Sequence, residues 1–336
     1  FGTVSYVTTF VAQYHGAGMR ERIGPVVWQG VYLSILGGAV IALLIPFAAP
    51  VFELIGHSPE VRAEEVVYFR ILCAGSFFPI LNGALSGFFA GRGRMWPVMW
   101  ANVTATAVNV VLDYGMIFGK LGFREMGIGG AALATAISGA AAAAFYAAAM
   151  AANRASARAH ALGRARVDLE LAGRLLRYGM PNGIQFFLDV VGFSVFLLII
   201  GRLGTSSLAA TNIAFNINAL AFMPMIGFAM GVSILVGQHI GEGRPDLAER
   251  SVYSCFAITF LYMASVAALY VLAPTLFIRP FRLLPRQGGG EDAFAIGRTV
   301  VVLLRFVAFY SIFDTLNLIF ASAVKGAGDT RFVMYT

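Results

Sequence analysis

Apolar runs of twenty or more residues recur along this 336-residue chain. A run of that length is what a helix needs to cross the ~30 Å hydrocarbon core of a bilayer. Composition agrees, with 59% of residues apolar and 12% charged, the latter about half the charged fraction of a soluble domain. The sequence therefore describes an all-α polytopic membrane protein with little room for a soluble domain. The run from Tyr178 to Gly201 carries a single carboxylate, Asp189, near its middle. An acid at that depth costs about 3 kcal/mol on insertion scales and marks a functional site. The net charge of +7 lies around membrane spans and gives no argument for a nucleic-acid partner. Cys73 and Cys255 lie in or beside apolar segments without metal-ligand spacing, which argues against a disulfide or a metal centre.

Eight full spans are expected, at about 25–54, 66–90, 96–118, 127–150, 178–201, 206–240, 251–277 and 297–324, with partial helices at 1–13 and 331–336. A short acidic loop is expected at His57 to Glu65, and Pro224 is expected to kink the long sixth span. Fourteen of the 24 Lys and Arg residues fall in alternate loops, six of them in the segment 153–177. By the positive-inside rule that side is cytoplasmic. The expected location is the plasma membrane, a bacterial inner membrane, crossed many times.

An internal repeat organises the chain. VAQYHGAGMRER at 11–22 is similar to VGQHIGEGRPDL at 236–247, with Gln13, Gly16 and Gly18 matching Gln238, Gly241 and Gly243 at an offset of 225. At an offset of 235, Arg70 matches Arg305, Leu81 and Asn82 match Leu316 and Asn317, and Gly91 and Gly93 match Gly326 and Gly328. Pro46 matches Pro274. The expected organisation is an N-terminal lobe at 1–152, an Arg-rich cytoplasmic linker at 153–177 and a C-terminal lobe at 178–336. Each copy shows spans that the other lacks, which implies six helices per lobe and roughly 450 residues in all. On that reading the chain is a fragment, without the first helix and part of the second in one lobe and without the last two helices in the other. An even number of helices per copy makes the repeat parallel, about an axis along the membrane normal.

Asp189 lies 11 residues from Tyr178, and Asp314 lies 11 residues before Lys325. At 1.5 Å per residue each is roughly 16 Å deep, near the midplane. Two carboxylates at one depth in one lobe can share a site. If they approach closely they cannot both stay ionised, so the pair can hold a proton or a hard cation such as Na⁺. Gln185 and Asn317 lie one turn away and can complete the ligand set. Asn82, the repeat counterpart of Asn317, joins the cavity candidates, as do Asn212 and Asn216; Asn218, off their helical register, is expected to pack elsewhere. Interhelical hydrogen bonding, worth about 0.6 kcal/mol per contact, is the alternative role for these acids. Arg70 and Arg305 lie near helix ends, where snorkelling accounts for them. The Gly-x-Gly pairs lack a strand–helix context and read as tight turns. An enzyme would need a nucleophile–base set or clustered ligands, and there is no HExxH motif and no grouping of the four His.

SGFFAGRGRMWPVMWANVTATAVNVVLDYGMIFG at 86–119, MGIGGAALATAIS at 126–138 and ASAVKGAGDTRF at 321–332 resemble segments characteristic of the multidrug and toxic compound extrusion (MATE) transporters, and the likeness covers nearly the whole chain. The resemblance implies two six-helix lobes around a central cavity. It also implies export of drugs or other amphipathic cations against Na⁺ or H⁺. Expected partners are thus small amphipathic or cationic molecules and the bilayer, with no cofactor beyond the coupling ion and no obligate protein partner. GMPNGIQFFLD, ending at Asp189, resembles the seventh-helix motif of NorM-like members, which usually place Glu there. FDTLNL at 313–318 resembles their tenth-helix motif, with Asp314 at its acid. Asn109 and Asp113 of NVVLD resemble a polar pair of the N-terminal lobe, with Thr135 of ALAT as a third partner; for Asp113 the packing and functional readings both stay open. A flippase for a lipid-linked precursor, of the same superfamily, is the alternative, and it is expected to need a more cationic cavity.

Overall fold

The computed structural model describes residues 1–152, 165–282 and 290–335. It is helical throughout, with no strand among the described residues. Among the described residues, eight helices or helix pairs are long and apolar enough to cross a membrane, and they coincide with the eight expected spans. Large apolar side chains stand exposed along them: Leu198 is 70% exposed, Leu220 80% and Leu261 70%. Lipid tails are a solvent in which such exposure costs nothing.

The chain divides into two compact units, Phe1–Gly183 and Ile184–Thr336. The first holds α1 (Gly2–Ser5), α2 (Val7–Gly16), α3 (Arg20–Ala42), α4 (Ala48–Ile55), α5 (Pro59–Gly75), α6 (Phe77–Ala90), α7 (Met95–Phe118) and α8 (Gly127–Ala152). Its core gathers Val7, Val11, Ile23, Val26, Phe88 and Leu175. The α9 helix (Leu169–Arg202) runs through the unit boundary. The second unit continues with α10 (Thr205–Gly241), α11 (Pro245–Leu272), α12 (Pro274–Arg282), α13 (Gly290–Ala327) and α14 (Thr330–Tyr335). Here α10 packs along both α11 and α13, around Ala210, Ile217, Tyr270 and Leu304 toward one end and Val232, Val236 and Ile319 toward the other.

Several boundaries differ from the sequence expectation, each for a local reason. The acidic stretch His57 to Glu65 is mostly helix, because Pro59 occupies the first helical turn and Glu60 faces its positive dipole end. Two contacts brace this corner: His57 Nδ1 lies 2.8 Å from Glu65, and Arg62 pairs with Glu53 at 3.3 Å. The seventh span runs from Pro245 to Leu272 rather than 251–277, since Pro274 cannot continue the helix and starts α12 instead. Pro224 sits inside α10 without ending it.

The expected linker gives the largest shift. Residues 153–164 lie outside the described residues, but Leu169 to Arg177 already belong to α9. Asp168 caps that helix, its Oδ1 accepting from the Leu171 N–H at 3.0 Å. Leu171 and Leu175, one turn apart, bury against the first unit while Arg174 and Arg177 stay exposed. Such an amphipathic turn escapes a search for uniformly apolar runs. Gln29, only 1% exposed, anchors the approach. Its side chain donates to the Arg166 carbonyl at 3.0 Å and accepts from the Asp168 N–H at 3.2 Å.

The repeat is visible as duplicated contacts. A Cβ on Gly91 would lie 2.6 Å from the Thr8 carbonyl oxygen, and one on Gly326 would collide with the Ser233 carbonyl. Thr8 and Ser233 are themselves related by the offset of 225, so the same backbone-to-backbone approach occurs in both units. Pro46 and Pro274 likewise each follow a long helix and open a short one. The copies part at one point. In the first, the helix breaks at Ser76 between α5 and α6, because the Pro79 ring crowds the carbonyl four residues back, at Gly75. At the matching position the second copy has Asp314, and α13 runs on unbroken.

Beside the Gly91 turn, Arg92 lies with its guanidinium 3.6 Å from the centroid of the Phe88 ring and its Nε donating to the Phe88 carbonyl at 2.7 Å. Burial, helped by the like charge of Arg94, pushes its pKa down to about 10.

Candidate functional site

The second unit contains a cavity of about 500 Å³ whose polar groups converge from two helices. Tyr310 and Asp314 enter from α13, one turn apart on one face. Asn212, Asn216 and Asn218 enter from α10, together with Phe215, Ala219 and Phe222. Phe193 and Leu197 of α9 complete the wall. Phe215 is the centre of an aromatic group, with ring centroids 5.1 Å from Phe193 and 5.7 Å from Phe196.

The hydrogen bonds fix the polar end. The Asn218 side-chain amide donates to the Tyr310 hydroxyl at 3.3 Å, and its Oδ1 is buried without a partner. Asn216 donates to the Asn212 carbonyl at 2.8 Å. Behind them, Thr315 bonds the Ser311 carbonyl at 2.8 Å and meets the Met225 sulfur at 3.3 Å, holding α13 to α10. Tyr310 and Asp314 interact electrostatically. Among the lining residues Asp314 is the one ionisable acid and no side chain is basic. An acid, a phenol and a buried orphan amide oxygen beside five aromatic or aliphatic side chains suit a cation that is partly apolar, or a bare hard cation.

Asn218 corrects the expectation that it packs away from Asn212. At 100° per residue the α10 lining residues span an arc of roughly 160°, with Asn218 at one edge and Asn216 at the other. A cavity bounded by a second helix admits an arc wider than a single stripe. Tyr310 was missed too, although its spacing of four from Asp314 is a readable signal.

The remaining candidates are distributed differently. Asp189 is exposed on α9, outside the cavity, and its electrostatic partner is Lys325 rather than Asp314. Equal depth counted along two helices does not bring side chains together when the helices differ in tilt and start point; α9 starts at Leu169, not Tyr178. Gln185, one turn before Asp189, is half-buried with its Oε1 lacking a hydrogen bond. Asn317 is exposed and outside the cavity lining.

In the first unit, Asn109 and Asp113 share one face of α7, and Asp113 Oδ1 is buried without a partner. The exposed Thr135 returns its hydroxyl to the Ala131 carbonyl of its own helix at 3.0 Å. Asn82 bonds the Gly139 carbonyl at 2.9 Å and so ties α6 to α8. No group of three or more His, Cys, Asp or Glu gathers among the described residues.

Comparison with known proteins agrees with this architecture. The family described as MatE matches residues 1–115 and 181–336. The probable multidrug resistance protein NorM of Xanthomonas axonopodis pv. citri is 29% identical over 99% of this chain and 71% of its own length. The multidrug resistance protein NorM of Burkholderia vietnamiensis is 28% identical over the same shares. The multidrug resistance protein PmpM of Pseudomonas aeruginosa is 29% identical over 99% of this chain and 68% of its own. Among solved structures, an outward-facing multidrug resistance MATE family transporter of the MOP superfamily aligns with a TM-score of 0.86 at 23% identity, covering 99% of this chain and 72% of that one. A MOP superfamily transporter from Pyrococcus furiosus aligns with the same TM-score, identity and coverage. These likenesses carry the fold, and with the family match over most of the chain they settle the assignment: this protein belongs to the multidrug and toxic compound extrusion (MATE) family and is a NorM-like membrane transporter.

Proposed function

We propose that the protein exports amphipathic organic cations in exchange for Na⁺ or H⁺, by alternating access of its two lobes. The observation that carries this reading is the C-terminal cavity itself, an aromatic chamber whose one charged lining residue is Asp314. A monovalent cation 4 Å from that carboxylate gains about 4 kcal/mol at an effective dielectric near 20. Ion and drug both seek the same carboxylate, so occupancy by one excludes the other, and that competition is the chemical basis of exchange. The buried Oδ1 of Asn218 and the Tyr310 oxygen supply further hard-cation ligands. Asp189, which lies outside this cavity, takes no ligand role in this scheme. A lipid-linked precursor would bring phosphate charge, and the cavity offers no basic side chain to meet it.

The test is uptake of a fluorescent lipophilic cation into inverted membrane vesicles under independently imposed Na⁺ and pH gradients. Asp314→Asn is expected to reduce gradient-driven transport at least tenfold with the protein still present in the membrane. Undiminished transport would overturn the role of Asp314. Transport that ignores both gradients would overturn the exchange.

A further inference from the structure

A second cavity in the same unit plays no part in the proposed transport cycle. It is a groove of about 460 Å³ between α10 and α11. From α10 come Gly227, Gly231 and Leu235, and from α11 come Arg250, Ser254 and Ile258. Glycines inside a membrane helix commonly allow two backbones to approach. Here they do not: a Cβ on Gly227 or Gly231 would meet nothing within 4 Å. The space in front of these glycines is open, while behind it the two helices meet, the Cys255 thiol donating to the Phe228 carbonyl at 3.5 Å. Along α10 the groove extends from Gly227 to Leu235, roughly 12 Å at 1.5 Å per residue, against roughly 15 Å for one leaflet of the hydrocarbon core.

The polar groups gather at one end. α11 begins at Pro245, beside Arg244, on the side that the positive-inside rule assigns to the cytoplasm. Arg250 and the neighbouring Ser251 lie in its second turn, and Ser254 follows one turn after Arg250. Arg250 is exposed and forms no ion pair among the described residues, although Asp246 and Glu249 share its helix. The groove is thus apolar along a leaflet-length floor, with an unpaired guanidinium and two hydroxyls at its cytoplasmic mouth. Guanidinium is suited to phosphate, which it can bind through two parallel hydrogen bonds.

We propose that this groove binds one acyl chain of an anionic phospholipid of the cytoplasmic leaflet, with Arg250, Ser251 and Ser254 meeting the phosphate. Anionic lipids concentrate in that leaflet, and one arginine near the surface favours them by about fivefold. Gly227 and Gly231 are there to leave room for a chain, and a larger side chain at either position fills the site without meeting a neighbour.

The experiment is native mass spectrometry of the purified full chain in detergent. It is titrated with phosphatidylglycerol or with phosphatidylcholine of the same chain length. Preferential retention of one phosphatidylglycerol is expected. Gly231→Leu should weaken retention of both lipids at least tenfold while leaving the melting temperature within a few degrees. Arg250→Gln should remove the roughly fivefold preference for phosphatidylglycerol and spare phosphatidylcholine. Unchanged retention in Gly231→Leu, or an unchanged preference in Arg250→Gln, would overturn the proposal. So would displacement of the lipid by millimolar inorganic phosphate, since that would mean the phosphate alone is recognised. If Gly231→Leu fails to fold, the groove is not open space and the Arg250→Gln comparison stands as the remaining arm.

Discussion

Asp314 stands out in the sequence and lines a cavity in the structure, and its surroundings are what the sequence under-reads. The acid is legible because a charge inside an apolar run is costly and therefore rare. Its neighbours Tyr310 and Asn218 are ordinary in sequence and become informative only through the 3.3 Å bond between them. Tyr310→Phe would leave the Asn218 amide without that acceptor, beside an Oδ1 that already has no partner. A buried polar group stripped of its bond costs about 1–3 kcal/mol. The expected outcome is a melting temperature lowered by several degrees in detergent, together with weaker retention of the fluorescent cation. Gln29 makes a second case: it reads as one glutamine in an apolar helix, yet it is 1% exposed and holds residues 166 and 168 in place. Gln29→Leu removes both bonds, but residues 166 and 168 are exposed, so water can take over their carbonyl and N–H. A loss of about 1–2 kcal/mol is expected, measured as a shift of the denaturation midpoint.

At the level of elements, helix existence was readable and helix ends were not. Hydropathy reports where a chain is apolar on all sides, so it finds the middle of each span. It passes over amphipathic ends such as Leu169 to Arg177, where only Leu171 and Leu175 are buried. Prolines mark ends more sharply, at Pro59, Pro245 and Pro274. The repeat also makes a prediction about pairs of elements. Gly91 and Gly326 occupy equivalent close approaches against backbone that cannot move aside cheaply. Gly326→Ala and Gly91→Ala are each expected to cost about 1–3 kcal/mol through overpacking. Gly227→Ala, with open space around its Cβ, is expected to be neutral or to stabilise by up to about 1 kcal/mol. Thermal denaturation of the three variants side by side checks this, and equal shifts for all three would contradict it.

For the whole molecule, the arrangement in the membrane is the property to test. With the native cysteines replaced (Cys73→Ala, Cys255→Ser), Arg244→Cys should react with an impermeant maleimide only from the cytoplasmic side. Arg124→Cys, exposed in the turn after α7, should react only from the opposite side. Labelling of both from one side would refute the orientation read from the arginines. The sequence by itself determined the membrane class, the eight spans, the repeat and the family. These follow from long-range regularities, apolar length and ordered matches, that hold whatever the packing. Only the tertiary structure decided that Asp314 shares a cavity with Tyr310 and Asn218, while Asp189 lies outside it with Lys325 as its electrostatic partner. Depth along a helix is a one-dimensional quantity that residue counting supplies. Which side chains meet depends on how each helix is rotated and tilted against its neighbours, and that is set by packing across the whole unit.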